Sequence, residues 1–505
     1  MNQKRLAYAF FSGLLIPFGF APFHMPGLTI LGLGSLFLLM SQTSKKFSFL
    51  TGFVFGLACF GFGISWIYVS IHDHGHFNTV VAGFITLLFV MYLASFTGLM
   101  TTAYTLLAKG KSQLLSCLIF SALWCITEMF RSTVFGGFPW LLIGFGQMDT
   151  PLNQLLPLIG VYGVGFITCC VATILGCAVQ TSGFKRKLLI ILSVLMLMLP
   201  LLLQQKNWTS LGTKQFSVGI IQANLSMRDK WDESLFWNIL DHYERAILKL
   251  IDKNDLVIMP EAAIPLPTSY LSDFLESLDK KIHLARSALL LGIPHPTDAN
   301  EDSYYNAIIS LGQSEGVYYK QHLVPFGEFT PDAFKSISTF LGLITPNMSP
   351  GREHQSLMRV HHHSIATLIC YELAYPQLLR NQIPEAEWIV SINDDGWFGH
   401  SLALYQHLQM AQVLSKLTGR FQIVSNNDGL SSIINQQGIV VNALPAFSQG
   451  ILESSIYPAT GTTPWVQWGD APILFLSLFI LLLAILKRRS FVKENTNNPV
   501  KIPTY

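Results

Sequence analysis

Long apolar stretches with almost no charge constrain this chain more than any other feature of its sequence. Half of its 505 residues are hydrophobic, only 12% are charged, and the mean hydropathy is +0.42. A helix needs about 20 apolar residues to cross a bilayer core of ~30 Å. Eight stretches approach that length and predict an α-helical membrane bundle of eight spans, at residues 6–22, 27–42, 48–70, 78–108, 113–130, 155–181, 187–204 and 471–486.

The basic residues between these stretches predict an orientation. If there are eight spans, the basic clusters all fall on one side: Lys4-Arg5, Lys45-Lys46, Lys109 with Lys111, Lys185-Arg186-Lys187 and Lys487-Arg488-Arg489. Because cytoplasmic loops are enriched in Lys and Arg, both termini are predicted to be cytoplasmic. The long polar block between spans seven and eight then lies outside the cell membrane.

The predicted organisation has four parts. Residues 1–205 form a transmembrane domain with spans one to seven, 206–470 an external domain, 471–486 the eighth span and 487–505 a cytoplasmic basic and polar tail. A cleavable signal peptide is the competing interpretation of residues 1–25. The basic start fits it, but no small-residue cleavage site follows. We therefore interpret this segment as the first span.

The external block has the pattern of a layered α/β domain. Short apolar runs predict strands at residues 216–223, 256–259, 289–293, 307–311, 365–369, 388–392 and 421–424. Apolar positions at helical spacing predict a helix at 233–252, and a further helix is predicted at 401–416. Strands that alternate with helices favour an α/β sandwich over an all-β fold.

Three chemically active residues follow predicted strands of this block. Cys370 ends the apolar run 365–369, Glu261 follows the run 256–260, and Lys320 follows residues 317–319. Cys370 is also the only one of seven cysteines outside the hydrophobic segments. A thiol of ordinary pKa about 8.5 needs a neighbouring base or cation to become a nucleophile. A thiol, a carboxylate and an ammonium at strand ends therefore predict an acyl-transfer site with a cysteine nucleophile.

The residues around these three positions resemble a known superfamily. Pro260-Glu261-Ala262-Ala263, Tyr319-Lys320-Gln321-His322-Leu323-Val324-Pro325-Phe326-Gly327-Glu328-Phe329 and Ile369-Cys370-Tyr371-Glu372 are similar to the Glu, Lys and Cys motifs of the nitrilase (carbon–nitrogen hydrolase) superfamily. The membrane half resembles one branch of it, the apolipoprotein N-acyltransferases, in Gly19-Phe20-Ala21-Pro22-Phe23, Trp66-Ile67-Tyr68-Val69-Ser70-Ile71-His72-Asp73-His74-Gly75, Gly160-Val161-Tyr162-Gly163 and Thr462-Thr463-Pro464. The resemblance covers nearly the whole chain. It implies eight spans in a bacterial inner membrane around a periplasmic, nitrilase-like α-β-β-α sandwich.

The resemblance also implies roles for three catalytic residues. Glu261 would accept the thiol proton, Lys320 would stabilise the developing oxyanion, and Cys370 would carry the acyl group. Glu328, eight positions after Lys320, corresponds to a second glutamate that positions the lysine and assists proton transfer.

Four further residues are implied around that centre. The backbone N–H of Tyr371 would be a second oxyanion donor, and Tyr371 and Glu372 would support the site. Trp231 and Trp397 would line the entrance for the acyl chain or lipid, although either could instead be an ordinary core aromatic residue.

The chain departs from the family pattern at two positions. Asp394 stands where the family usually has Asn, in Asp394-Asp395-Gly396-Trp397-Phe398-Gly399. Val424 stands where family members tend to carry Arg. Neither position is one of the implied catalytic residues, so the departures concern the shape of the lipid pocket rather than the reaction.

The implied reaction is the last step of lipoprotein maturation. Cys370 would take a fatty acyl chain from a membrane phospholipid and pass it to the α-amine of a diacylglyceryl-modified cysteine on an apolipoprotein, without a cofactor. The alternative is a membrane-tethered amidase or nitrile hydrolase, in which water resolves the same thioester. A transporter or channel with an external binding domain is a different class, but the spans show neither clear intramembrane charge nor a clear repeat.

Composition and motifs also weigh against two kinds of ligand. The net charge is only +2 and no basic patch is interleaved with aromatic residues, so no nucleic-acid partner is expected. Two histidine clusters suggest a metal site, at residues 72–76 and 361–363. Consecutive histidines on a turn usually point apart and no cysteine accompanies them, so no metal is expected.

Overall fold

The structure is a computed structural model, which describes residues 2–41, 43–75, 77–297, 303–330 and 348–496. The chain divides into two compact units. The first contains Met1–Tyr68, Phe77–Gln205 and Trp468–Tyr505, and the second contains Val69–His76 and Lys206–Gln467. The sequence did not predict that the segment Val69–His76 belongs with the second unit.

The first unit is helical. Its helices are Asn2–Leu14, Pro26–Ser41, Lys45–Gly63, Thr79–Leu107, Gln113–Arg131, Leu156–Val179, Gly183–Met198 and Ala471–Thr496. Small residues let two of these helices approach closely. A Cβ atom at Gly52 would collide with the Thr101 side chain, and one at Gly56 would lie 2.7 Å from Cα of Ala94. Such a spacing of small residues is typical of helix contacts in membranes.

Several of these helices are long and apolar enough to cross a membrane. In the described part of the chain, five meet both conditions: Lys45–Gly63, Thr79–Leu107, Gln113–Arg131, Pro151–Val179 and Gly183–Leu203. Pro26–Ser41 and Ala471–Lys487 are apolar but shorter. The first helix ends at Leu14, before the predicted end of span one at residue 22. The count of eight spans therefore stays a prediction.

Two further predicted boundaries differ from the observed helices. The third predicted span, 48–70, corresponds to a helix that ends at Gly63 and is followed by the turns Trp66–Val69 and Ser70–His74. The last helix, Ala471–Thr496, continues past residue 486 into the predicted tail. Residues 497–505 of that tail lie outside the described residues.

The second unit contains two large sheets. Its strands are β1 (Ser210–Leu211), β2 (Phe216–Gln222), β3 (Leu256–Ile258), β4 (Ala288–Pro296), β5 (Tyr304–Gly312), β6 (Ser314–Glu315), β7 (Val317–Tyr319), β8 (Met358–Val360), β9 (His363–Ile369), β10 (Trp388–Asn393), β11 (Gln422–Asn426), β12 (Ser432–Ile434), β13 (Val440–Ala443), β14 (Gly450–Ile456) and β15 (Ala459–Thr460). Within the described residues one sheet has the order β14-β2-β3-β4-β5-β7, which we call the Glu261 sheet. The other has the order β13-β12-β11-β10-β9-β8-β6, which we call the Cys370 sheet. The strands predicted from apolar runs are confirmed, with ends shifted by a few residues.

The strand residues alternate between two cores. Leu256 and Ile258 of β3 pack in a core shared with Ile369 and Ile392 of the other sheet. Val257, between them, packs instead in a core that includes residues of two helices. This alternation follows from the two-residue period of a strand. The two sheets therefore stack face to face, and helices Phe236–Leu250 and Ser272–Leu284 cover the outer face of the Glu261 sheet.

A helix also covers the Cys370 sheet. Helix Ala403–Thr418, close to the predicted 401–416, packs on this sheet, where Ser415 Oγ donates to Gln422 Oε1 at 3.2 Å. Single turns and short helices complete the unit, among them Met227–Lys230, Cys370–Ala374, Gln377–Arg380, Asp395–Phe398 and Pro464–Trp468. The order helix, sheet, sheet, helix agrees with the predicted nitrilase-like layers.

Candidate active site

Glu261 is held by three hydrogen bonds just beyond β3. Its Oε1 accepts from Asn306 Nδ2 at 2.7 Å and from Lys320 Nζ at 3.2 Å, and its Oε2 accepts from the Asp394 N–H at 3.0 Å. The chain passes so close to Gly292 of β4 that a Cβ there would collide with the Pro260 carbonyl oxygen. Any side chain at residue 292 would therefore displace Glu261.

Lys320, immediately after β7, joins two carboxylates. Its buried Nζ lies 2.9 Å from Glu328 Oε1 and 3.2 Å from Glu261 Oε1. Glu328 is fixed in turn, because its Oε2 accepts from the Val324 N–H at 2.8 Å. Burial alone would lower the pKa of Lys320, but Glu261 and Glu328 outweigh it, so the pKa is raised and the ammonium stays charged.

The pKa of Glu261 is raised from its ordinary value. Burial is the largest cause, the Lys320 cation opposes it, and the neighbouring carboxylates Glu328 and Asp394 add to it. A carboxylate held in this way is more basic than an exposed one. It can accept a proton from a weak acid near neutral pH.

Cys370 lies at the end of β9 with an unusual backbone conformation. It is buried, its φ is 52°, and it begins the short turn Cys370–Ala374. A positive φ is uncommon for a residue with a side chain and is found mostly where neighbouring contacts hold it. Burial and the negative charge of Glu261 raise the pKa of the thiol well above its usual value, against the Lys320 cation. At rest the sulfur therefore keeps its proton, and a base must remove it during reaction.

Glu372 connects the segment of Cys370 with that of Lys320. Its carboxylate accepts from the backbone N–H groups of Ile369 at 2.7 Å, Gln321 at 2.7 Å and His322 at 3.1 Å. Burial raises its pKa to about 7, and the hydrogen bonds from these N–H groups oppose that rise. Glu372 thus ties the chain after β7 to the end of β9.

The two predicted entrance residues are partly exposed rather than part of a core. Trp231 is 51% exposed and Trp397 is 38% exposed. The carbonyl of Trp397 accepts from Ser70 Oγ at 2.7 Å, and its ring lies 5.2 Å from that of His74. In the described part of the structure, neither tryptophan forms a hydrogen bond or ring contact with Glu261, Lys320 or Cys370.

Tyr371 lies beside other aromatic rings near Cys370. Its hydroxyl accepts from Tyr375 Oη at 3.3 Å, and its ring centroid is 6.2 Å from that of His322. These contacts place its side chain in a buried aromatic cluster, consistent with a supporting role.

Sequence reasoning missed a buried ion pair beside Glu261. Lys230 Nζ lies 2.5 Å from Asp394 Oδ2 and donates to the Glu261 carbonyl at 2.8 Å. The departure from the family pattern at Asp394 thus has a charged partner. Lys230 stands in the polar sequence Asp229-Lys230-Trp231-Asp232, and nothing in that sequence indicates that the lysine is buried. The second departure, Val424, is an apolar residue of β11, and no contact to the site explains it.

The histidine clusters bind protein groups. His74 Nε2 lies 2.9 Å from the Gly396 carbonyl oxygen, and His363 Nδ1 lies 2.9 Å from Glu387 Oε2. Among the residues that the structure describes, no group of three His, Cys, Asp or Glu side chains is arranged to hold a metal ion.

Comparisons with known proteins agree with both halves of the chain. A family model for the apolipoprotein N-acyltransferase N-terminal domain matches residues 12–174, and one for carbon-nitrogen hydrolase matches residues 217–463. A carbon-nitrogen hydrolase structure from Helicobacter pylori G27 aligns with 51% of this chain and 94% of its own at 14% identity and a TM-score of 0.36.

Curated relatives match over nearly the full length. The apolipoprotein N-acyltransferase of Coxiella burnetii is 34% identical over 482 residues, which cover 95% of this chain and 99% of that protein. The one of Azotobacter vinelandii is 32% identical over 489 residues, with 95% and 94% covered. With both domain models matched in order and relatives aligned from end to end, this chain belongs to the apolipoprotein N-acyltransferase family.

Proposed function

We propose that this chain transfers a fatty acyl chain from a membrane phospholipid, through a thioester on Cys370, to the α-amine of a diacylglyceryl-cysteine on an apolipoprotein. The observation that carries the proposal is the buried cluster of Lys320 with Glu261 and Glu328, whose charges act on the Cys370 thiol. Family membership and the apolar helices favour this reaction over hydrolysis by a membrane-tethered amidase.

In the first half-reaction Cys370 forms a bond to the carbonyl carbon of a phospholipid ester. Glu261 takes the thiol proton as the sulfur attacks, because the raised pKa of the thiol keeps it protonated at rest. The bond from that carbon to the glycerol oxygen breaks, and the oxygen receives the proton from Glu261. The products are a lysophospholipid and an acyl-enzyme.

Lys320 and the Tyr371 N–H are the proposed oxyanion donors in this step. The carbonyl oxygen gains negative charge as the sulfur attacks, and preorganised donors are worth several kcal/mol there. Glu328 holds Lys320 at 2.9 Å and so positions the cation.

In the second half-reaction the lipoprotein amine attacks the thioester. A carbon–nitrogen bond forms, the carbon–sulfur bond breaks, and Glu261 moves the amine proton to the departing sulfur. Only a neutral amine attacks, so a base of raised pKa suits this step. The exposed rings of Trp231 and Trp397 are proposed to contact the lipid chains as they enter.

The proposal includes a location. We infer eight spans in the bacterial inner membrane, cytoplasmic termini and a periplasmic catalytic domain, on the basis of the basic residues that flank the apolar stretches. Single-cysteine labelling from outside intact spheroplasts tests this orientation. The reagent should label a Glu276→Cys variant, and it should not label a Lys109→Cys variant.

Intact-mass analysis of the purified protein with phospholipid tests the proposed intermediate. The wild type should gain the mass of one acyl chain, which neutral hydroxylamine removes, and Cys370→Ala should gain nothing. Cys125→Ala removes a thiol in a helix of the first unit and is the matched control, which should load like the wild type. An unloaded wild type, with folded protein and intact lipid, would contradict the proposal.

A further inference from the structure

His407 forms a hydrogen bond with the backbone of Cys370. It lies in helix Ala403–Thr418, and its Nε2 is 3.0 Å from the Cys370 carbonyl oxygen. Its Nδ1 is 2.9 Å from Asp395 Oδ1, and both side chains are buried. Asp395 is itself held by Asn426, whose Nδ2 donates to Asp395 Oδ2 at 2.6 Å.

The chemistry of these partners determines what His407 does. A carbonyl oxygen has no hydrogen to donate, so Nε2 must carry the proton of that hydrogen bond. With Nε2 directed at a backbone oxygen, the ring does not serve as the base for the thiol in this arrangement. Asp395 and Asn426 fix the plane of the ring from its other side. His407 is therefore a hydrogen-bond donor held rigidly against one peptide group.

That peptide group carries the Tyr371 N–H, one of the two proposed oxyanion donors. The Cys370 carbonyl and the Tyr371 N–H belong to the same planar unit and point in opposite directions. A hydrogen bond that fixes the oxygen therefore fixes the direction of the N–H. The positive φ of Cys370 is uncommon for a residue with a side chain, so contacts with neighbouring groups hold the chain in place here.

We propose that His407, oriented by Asp395, is a positioning residue that holds the Cys370–Tyr371 peptide so that the Tyr371 N–H faces the oxyanion. This inference rests on the proposed function, because the oxyanion forms only when Cys370 attacks an acyl carbonyl. It assigns a role in the reaction to a residue that acts through the backbone rather than on the sulfur.

Two reactions of the same sulfur separate this role from a general structural one. Loading from phospholipid requires an oxyanion donor, whereas alkylation by iodoacetamide needs the thiol and its base but forms no oxyanion. His407→Phe keeps a ring but has no donor. It should lower the single-turnover loading rate about 100-fold, the scale of one lost oxyanion donor, and change the alkylation rate of Cys370 less than about 3-fold.

One conservative variant, one control and one substitute variant complete the test. His407→Gln can still place an amide N–H near the carbonyl, so it should load within about 10-fold of the wild type. Gln412→Ala removes a side-chain hydrogen bond to the Gly438 carbonyl from the same helix and should load normally. If His407→Phe does not fold, Asp395→Ala takes its place, and it should also slow loading more than alkylation.

The outcomes are distinct for the two proposals. Equal losses of loading and alkylation, or normal loading by His407→Phe, would overturn the positioning role. A wild type that never loads would instead overturn the proposed function. Slow loading with normal alkylation in the Phe variant, recovered in the Gln variant, is the result that supports His407.

Discussion

The two sheets of the second unit contribute different kinds of contact to the candidate site. The Glu261 sheet leads to charged side chains that bind one another, with Lys320 between Glu261 and Glu328. The Cys370 sheet leads to a thiol whose surrounding polar residues bind the backbone instead, as His407 and Glu372 do. The contacts around Lys320 therefore hold charge, whereas the contacts of His407 and Glu372 around Cys370 hold the backbone.

This difference predicts that variants on the two sides fail in different ways. A change at Lys320 or Glu261 should alter charge balance, pH dependence and stability together. A change at His407 should alter loading while the thiol stays reactive. The following four predictions run from the largest expected effect to the smallest.

Lys320→Met should have the largest combined effect on activity and stability, because it removes the cation shared by two buried carboxylates. Loading should fall at least about 100- to 1,000-fold. The free energy of unfolding should fall by about 3–5 kcal/mol, since Glu261 and Glu328 are left without their partner. Thermal unfolding in detergent and single-turnover loading measure the two effects. The double variant with Glu328→Gln should recover part of the stability but none of the loading, and recovery of loading would contradict the role of Lys320.

Glu261→Gln should lower the loading rate about 100- to 10,000-fold through loss of the base. As pH falls through the pKa of Glu261, the carboxylate is protonated and cannot accept the thiol proton, so the wild-type rate falls. Because that pKa is raised, the midpoint of this fall should lie above ~4.3, the value for an ordinary glutamate. The pH profile of kcat/KM measures it.

The acid limb of that profile should be absent from the residual activity of Glu261→Gln. Glu276→Gln, a change in an exposed helix pair with Lys280, is the control and should keep the limb unchanged. An unchanged limb in Glu261→Gln would show that another group accepts the proton.

Trp397→Ala and Trp231→Ala should raise the KM for phospholipid about 3- to 10-fold with little change in kcat, since each removes an exposed apolar ring rather than a reacting group. The pair samples the ends of both sheets, because Trp231 follows β2 and Trp397 follows β10, and the same effect is expected from each. Steady-state kinetics in mixed micelles measure the change. Trp237→Ala is the control, since that ring is 73% exposed but has no proposed role. An equal KM increase in the control would remove the case for specific lipid contact.

Asp428→Asn should change stability, with a dependence on pH, more than it changes activity. Burial, with the charges of Asp394 and Asp395, raises the pKa of Asp428 to about 8. Between about pH 4, the unfolded value, and pH 8 the folded chain keeps a proton that the unfolded chain has lost. Wild-type stability therefore falls as pH rises through this window.

The Asn variant lacks that titration, so its advantage in Tm should grow from pH 5 to pH 8. The slope is at most about 1.4 kcal/mol per pH unit for one group. Asp252→Asn, at an exposed position, should show no such pH-dependent difference. A constant difference between Asp428→Asn and the wild type would contradict the raised pKa.

The sequence was sufficient to predict the strands and the residues at their ends. Short apolar runs at residues 256–259 and 365–369 have the length and composition of buried strands bounded by polar residues, so local pattern alone places Glu261 and Cys370 at strand ends. The Lys320 motif follows in the same way from residues 317–319. These predictions depend on local pattern, which a sequence carries directly.

The contacts around Cys370 were not predictable in that way. His407 is 37 positions from Cys370 and lies in a segment that the sequence predicted only to be helical. The pairing of Lys230 with Asp394 spans 164 positions and reverses the ordinary expectation that lysine is exposed. The end of the first helix at Leu14 was obscured by apolar residues that continue past it. Such features depend on how distant segments pack, which no local pattern specifies.

The most direct test of the proposed acyl transfer is a chase of the loaded enzyme. Protein loaded from labelled phospholipid is freed of donor lipid and mixed with a diacylglyceryl-cysteine peptide or with buffer alone. The account predicts that label leaves Cys370 rapidly with the peptide and appears as an amide on its α-amine, while the thioester persists in buffer. Equal loss of label in both mixtures, with free fatty acid as the product, would contradict the account and favour the amidase.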